Sequence, residues 1–146
     1  MSAKEPILQV AAKALIVNSQ GQVLLAREAK TGPNNTQIGF YGLIGGRLEP
    51  GETFFDGLRR EVMEEVGLEV EPDKPLYVGE WHPTIHGVAH QIIAVYMLCH
   101  VAKGDVRLSE EHDTHEWIDP LAYTAYNMMT PDDRVIELYN SLGRQA

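Results

Sequence analysis

Residues Gly46 to Leu68 read GRLEPGETFFDGLRREVMEEVGL, and their punctuation admits few local structures. Thr53 is a helix-capping residue with Asp56 three positions on, and Gly67 stands where a left-handed residue ends a helix. Between them Leu58, Val62 and Val66 recur at helical spacing for burial, with Phe55 beside them. The same helix carries Glu61, Glu64 and Glu65. At about 100° per residue, Glu65 lies about 40° to one side of Glu61 and Glu64 about 60° to the other. Three carboxylates on one face repel and raise one another's pKa, so the cluster calls for a cation. A hard divalent ion, Mg²⁺ or Mn²⁺, suits an all-oxygen donor set. That pairing of helix and cation points to phosphate chemistry.

The rest of the chain narrows the setting. At 146 residues the expectation is a single domain, 1–146, with one ordinary core. The net charge of −9 and the lack of a Lys/Arg run argue against nucleic acid as a partner. Cys99 is the only cysteine, so no internal disulfide is available. No apolar run has the length of a membrane span, and the first residues do not read as a signal peptide. The expected location is the cytoplasm.

Strands are expected over Leu8–Val17 and Gln22–Arg27, joined by the Asn18–Gly21 turn, and a short one over Phe40–Ile44. Lys30 to Thr36 reads as a loop. Further strands are expected over Leu76–Trp81, Gln91–Val101 and Glu116–Ile118. Thr130-Pro131-Asp132-Asp133 reads as a cap, a proline at the first helical position and acids against the dipole. The helix that follows would bury Val135, Leu138, Tyr139 and Leu142. Strands with two main helices imply an α/β fold with a mixed β-sheet covered on its faces. Gly57, one turn before Glu61, costs about 1 kcal/mol of helix propensity and suggests a close approach of a loop or ligand.

The Gly46–Leu68 segment resembles the signature of the Nudix hydrolases: G, five residues, E, seven residues, then R-E-U-x-E-E-x-G-U, with U bulky and apolar. Gly46, Glu52, Arg60, Glu61, Val62, Glu64, Glu65, Gly67 and Leu68 meet every fixed position. The resemblance implies a Nudix-type α/β/α sandwich and cleavage of a diphosphate linkage. It implies that Glu61, Glu64 and Glu65 hold the metal, with the Gly45 carbonyl as a further ligand. It also implies that Arg60 orients the glutamates by salt bridge, and that Glu52 supports the loop or binds an additional metal. One departure is Ile44, where the family often has proline before Gly-Gly; no ligand is lost by it. Family members take their general base either from the box or from a later acidic loop. Here that loop is Ser109-Glu110-Glu111-His112-Asp113, with Glu111 or Glu110 as candidates beside the plainer reading of a solvated acidic loop.

Outside the box the residues carry less. His82, His86 and His90 recur every four residues, but Pro83 and Gly87 oppose a helix that would align them as ligands. Tyr41, Trp81 and Trp117 are candidates for stacking on a base, with burial in the core as the competing reading. Arg27, Lys30 and Arg47 are candidate phosphate contacts, with surface solvation as the alternative. Pro83 lies fifteen residues past Leu68, and a proline near that distance accompanies ADP-ribose specificity in part of the family. The expected substrate is therefore a small-molecule nucleoside diphosphate derivative, led by ADP-ribose or a nucleotide sugar. A nucleotide-sanitising (d)NTP pyrophosphohydrolase is the nearest alternative, and a nucleotide-sensing module without turnover is another. Dimers are common in the family, so a homodimer that completes the pocket is also implied.

Overall fold

The near-continuous apolar run from Ala11 to Val17, broken only by Lys13, buries both faces of its strand, and the fold is arranged around it. The computed structural model describes residues 4–29 and 38–143. Its elements are β1 (Ile7–Val17), β2 (Val23–Glu28), β3 (Tyr41–Gly42), β4 (Ile44–Arg47), α1 (Phe54–Val66), β5 (Glu69–Trp81), β6 (Thr84–Ile85), β7 (Val88–Lys103), β8 (His112–Ile118), a 3₁₀ turn (Pro120–Ala125) and α2 (Asp132–Gly143). The sheet runs β3-β2-β1-β7-β5, with β8 on β2, β4 on β1 and β6 on β7. β1 and β7 are parallel from Ile7↔His90 to Val17↔His100, while the other strand pairs are antiparallel.

Successive side chains of a strand face opposite ways, which sorts the core into two layers. Ala11, Leu15 and Val17 of β1 pack with Val23 and Leu25 of β2 against Val135 and Ile136 of α2. Ala12, Ala14 and Ile16 pack with Leu24 and Ala26 against Leu58, Val62 and Val66 of α1. The mixed sheet with a helix on each face is the α/β/α sandwich expected from the sequence.

α1 has the ends its sequence implies. Thr53 Oγ1 accepts the Asp56 N–H, and Gly67, at φ 71°, donates to the Met63 carbonyl. Other details differ. Phe55 is 47% exposed, and it is Phe54 that packs on the core. In α2 the fully buried pair is Val135 and Ile136, whereas Leu142 is 39% exposed. The stripe is rotated because the helix begins at Asp132, whose own side chain turns inward. Thr130 does not cap this helix with a backbone bond; its hydroxyl donates to Asp133 Oδ1. β5 starts at Glu69 rather than Leu76. It runs through Pro72 and Pro75 with register shifts, which an edge strand tolerates because its missing N–H groups leave no ladder partner stranded. Among the described residues no helix is long and apolar enough to cross a membrane.

Candidate active site

The glycines before α1 bring the strand end against the carboxylate face. Gly45 pairs with Lys13 of β1 at φ 149°, and a Cβ there would run into the Ala12 carbonyl. A Cβ on Gly46 would meet both carboxylate oxygens of Glu61, at 2.5 and 2.9 Å. Glycine is what permits this approach. Gly57 has the same role on the helix side, since a Cβ there would meet Leu48 and the Glu52 carboxylate.

Arg60 organises the outer part of the cluster. Its Nε and Nη2 donate to the two oxygens of Glu52 at 3.0 and 2.6 Å. Its Nη1 donates to Glu61 Oε1 and to Glu64 Oε2, both at 3.1 Å. Glu52 also accepts the Glu49 N–H at 2.8 Å, so one carboxylate ties the loop to the guanidinium. These hydrogen bonds pull the Glu52 carboxyl down to about 2 and hold Arg60 above its ordinary value. Burial raises Glu61, against which Arg60 works.

Glu65 points inward and is 6% exposed. Its Oε2 accepts the Gly45 N–H at 2.7 Å. Burial pushes its pKa well up, and a hydrogen bond shared with Glu111 adds to the rise, while Lys13 opposes it. Oxygens of Glu65 and Glu111 and a ring nitrogen of His112 lie within 4.8 Å of one another. His112 is buried, its Nδ1 finds no hydrogen-bond partner among the described residues, and burial lowers its pKa. The donor set is oxygen-rich and partly desolvated, with the His112 Nδ1 lacking a partner among the described residues, which fits a divalent cation.

A cleft of about 810 Å³ opens beside this cluster, within the range of small-molecule sites. Its lining includes Glu65, Glu111, Glu28, Lys13, Gly45 and Arg47 together with Tyr77, Trp81, Pro83, Met129 and Pro131. Asp132 lies on its wall, with Oδ1 accepting the Tyr96 hydroxyl at 2.6 Å and Oδ2 the Leu43 N–H at 2.8 Å.

Of the candidates named from sequence, Arg47, Trp81 and Pro83 line the cleft, as does Glu111 from its loop. Others lie elsewhere. Arg27 pairs with Asp113 at 2.8 Å outside the cleft lining. Tyr41 packs edge-on against Tyr126, with ring centres 5.3 Å apart. Trp117 packs on the α1-side core. Glu110 is exposed and does not line the cleft. Lys30 lies outside the described residues. His82 reaches the cleft, whereas His90 is buried on Val88 O, so the three histidines do not converge. Lys13, Glu28, His112 and Asp132 were not singled out from sequence. Lys13 carried a signal, being a charge inside an apolar strand pattern.

The family model described as NUDIX domain matches residues 7–139. Nucleoside triphosphatase NudI of an Enterobacter species is 33% identical over 110 residues, covering 70% of this chain and 77% of that protein. Human 8-oxo-dGDP phosphatase NUDT18 is 44% identical over 71 residues, covering 49% of this chain; the match spans only 21% of that longer protein. Among solved structures, a MutT protein from Methanosarcina mazei superposes with a TM-score of 0.80 at 24% identity, covering 97% of this chain and 99% of that one. At that identity the likeness speaks for the fold.

Proposed function

We propose a reaction for this chain from the premise that it belongs to the NUDIX family, whose model spans nearly all of it: hydrolysis of a phosphoanhydride bond in a nucleoside di- or triphosphate. The observation that carries this reading is the cleft itself, whose lining combines the carboxylates Glu28, Glu65 and Glu111 with the aromatic and proline surfaces of Tyr77, Trp81, Pro83 and Pro131. A nucleotide has the matching halves, a polyanion and an apolar-faced base.

Glu65 and Glu111, with Glu61 and Glu64 of the same helix as Glu65, are the residues that would hold a divalent cation. When bound, such an ion neutralises phosphate oxygens and acidifies water. The chain's own groups do the rest. Glu52 and Arg60 keep Glu61 and Glu64 in place through four hydrogen bonds. The Gly45 N–H fixes the Glu65 carboxylate. Glu111, hydrogen-bonded to Glu65, would take a proton from an attacking water. Trp81, Tyr77 and Pro83 offer the base and sugar an apolar wall and exclude solvent from it.

The relatives support nucleoside di- and triphosphates ahead of ADP-ribose or nucleotide sugars, since one is named a nucleoside triphosphatase and another an 8-oxo-dGDP phosphatase. Pro83 in the cleft supports the second reading, an ADP-ribose-type substrate. The deciding experiment incubates the protein and Mg²⁺ with (d)NTPs, (d)NDPs, their 8-oxoguanine forms, ADP-ribose and nucleotide sugars, with products identified by mass. Turnover of di- or triphosphates at the highest kcat/KM is the expected result. Preference for ADP-ribose would favour the second reading, and no turnover of any substrate would point to a module that senses nucleotides.

A further inference from the structure

We infer that Lys13 contacts the substrate, gripping the phosphate that lies between the carboxylate cluster and the nucleoside. The inference deepens the proposed function and rests on that reading of the cleft.

The sheet register places Lys13. Gly45 of β4 is opposite Lys13 of β1, Lys13 is opposite Tyr96 of β7, and Tyr96 is opposite Tyr77 of β5. All four residues line the cleft. They form a row across four neighbouring strands, and adjacent strands lie about 4.8 Å apart. The row begins where Gly45 binds Glu65 and ends at the aromatic wall. A nucleotide lying along it, with its terminal phosphate at the carboxylates, sets the next phosphate over Lys13, about one strand spacing on. The base then falls about two strands further, at Tyr77.

The ammonium group is suited to this. Lys13 is half-buried, and among the described residues Nζ donates to a single acceptor, the Leu43 carbonyl, at 3.2 Å. Among the described residues it makes no ion pair within 4.0 Å, although its field acts on Glu28, Glu65 and His112. An ammonium has three donors, so two remain for phosphate oxygens. A charge inside the apolar pattern of β1 costs desolvation, and a merely structural link to Leu43 would not need it. In a chain of net charge −9, a local cation on the cleft floor is what lets a polyanion approach the glutamates.

The test uses the full chain and a non-hydrolysable α,β-methylene nucleoside diphosphate with Mg²⁺, with binding measured by calorimetry. Lys13→Met is expected to weaken binding about 10-fold or more, the scale of a lost charge-assisted hydrogen bond, and Lys13→Arg to restore part of it. With hydrolysable substrates, KM for Lys13→Met should rise more than kcat falls. Equal affinity in folded Lys13→Met overturns the inference while leaving the hydrolase reading intact. Failure of the unaltered protein to bind or hydrolyse any nucleotide overturns both. Should Lys13→Met not fold, reductive methylation of the unaltered protein decides. Protection of Lys13 by the same probe, read by mass spectrometry, supports the contact, and unchanged labelling refutes it.

Discussion

Arg60 grips Glu52 with two parallel hydrogen bonds, 3.0 and 2.6 Å long, and so turns its remaining Nη1 toward Glu61 and Glu64. The fork is what keeps three glutamates of like charge in a fixed arrangement, because guanidinium geometry matches a carboxylate edge. Lysine cannot make both contacts. Arg60→Lys should therefore fold, yet lose about 10- to 100-fold in metal affinity or activity, as outer-shell changes at metal sites do. A Mg²⁺ titration of activity checks this; a half-saturation point equal to that of the unaltered protein would contradict it.

Glu65 is both the most buried of the glutamates and the one whose pKa stands well above its ordinary value. The folded state therefore holds its proton to higher pH than the unfolded chain does. This contribution to stability is fully present below about 4.5 and is lost as pH rises through the elevated value. His112 works oppositely. Its lowered value makes stability fall as pH drops below about 6.5. Glu65→Gln isolates the first effect. In chelator, the Tm of the unaltered protein should fall relative to that of Glu65→Gln as pH rises, and Mg²⁺ should stabilise only the unaltered protein strongly. Parallel Tm profiles would show that the Glu65 carboxyl is not strained by burial.

Glycines 45 and 46 predict different failures. The three atoms nearest a Cβ at Gly46 all belong to the Glu61 carboxylate, the far end of a flexible side chain. Gly46→Ala should keep its Tm within a few degrees while activity drops as Glu61 is displaced from Arg60. At Gly45 the Cβ meets the Ala12 backbone, and φ is 149°. Gly45→Ala should cost stability, about 1–3 kcal/mol or more. Urea denaturation of the two variants side by side tests the contrast; equal losses would refute it.

Glu111 shares a hydrogen bond with Glu65, and its backbone carbonyl accepts the Ala29 N–H at 3.0 Å, which ties its loop to the end of β2. If it takes the proton from water, Glu111→Gln should lower kcat by about 10²- to 10⁴-fold with KM nearly unchanged. A rise in KM at constant kcat would assign it to binding instead.

How much of this was legible beforehand differs by residue. The ends of α1 were readable because caps and a C-terminal glycine are local chemistry, settled within four residues of chain. So was the apolar stripe Leu58, Val62 and Val66. Phe55 and Leu142 misled, because helical spacing alone does not say where the sheet's edge stops covering a helix. Arg27 and Tyr41 lie near the glycine loop in sequence but point into other contacts, with Asp113 and Tyr126. Nearness along the chain is a poor guide when strands cross a sheet.

By itself the sequence determined the helix, its turn and its carboxylate face, and through them the family. Each of these depends on residues no more than one box apart. Only the tertiary structure decided what the carboxylates face. Parallel pairing of β1 with β7 sets Lys13 beside Tyr96, α2 brings Asp132 to the same wall, and the loop before β8 delivers Glu111 and His112 to Glu65. Those neighbours come from positions up to about a hundred residues apart. Their meeting is governed by strand register and by burial of the two apolar layers, which no local pattern of residues encodes.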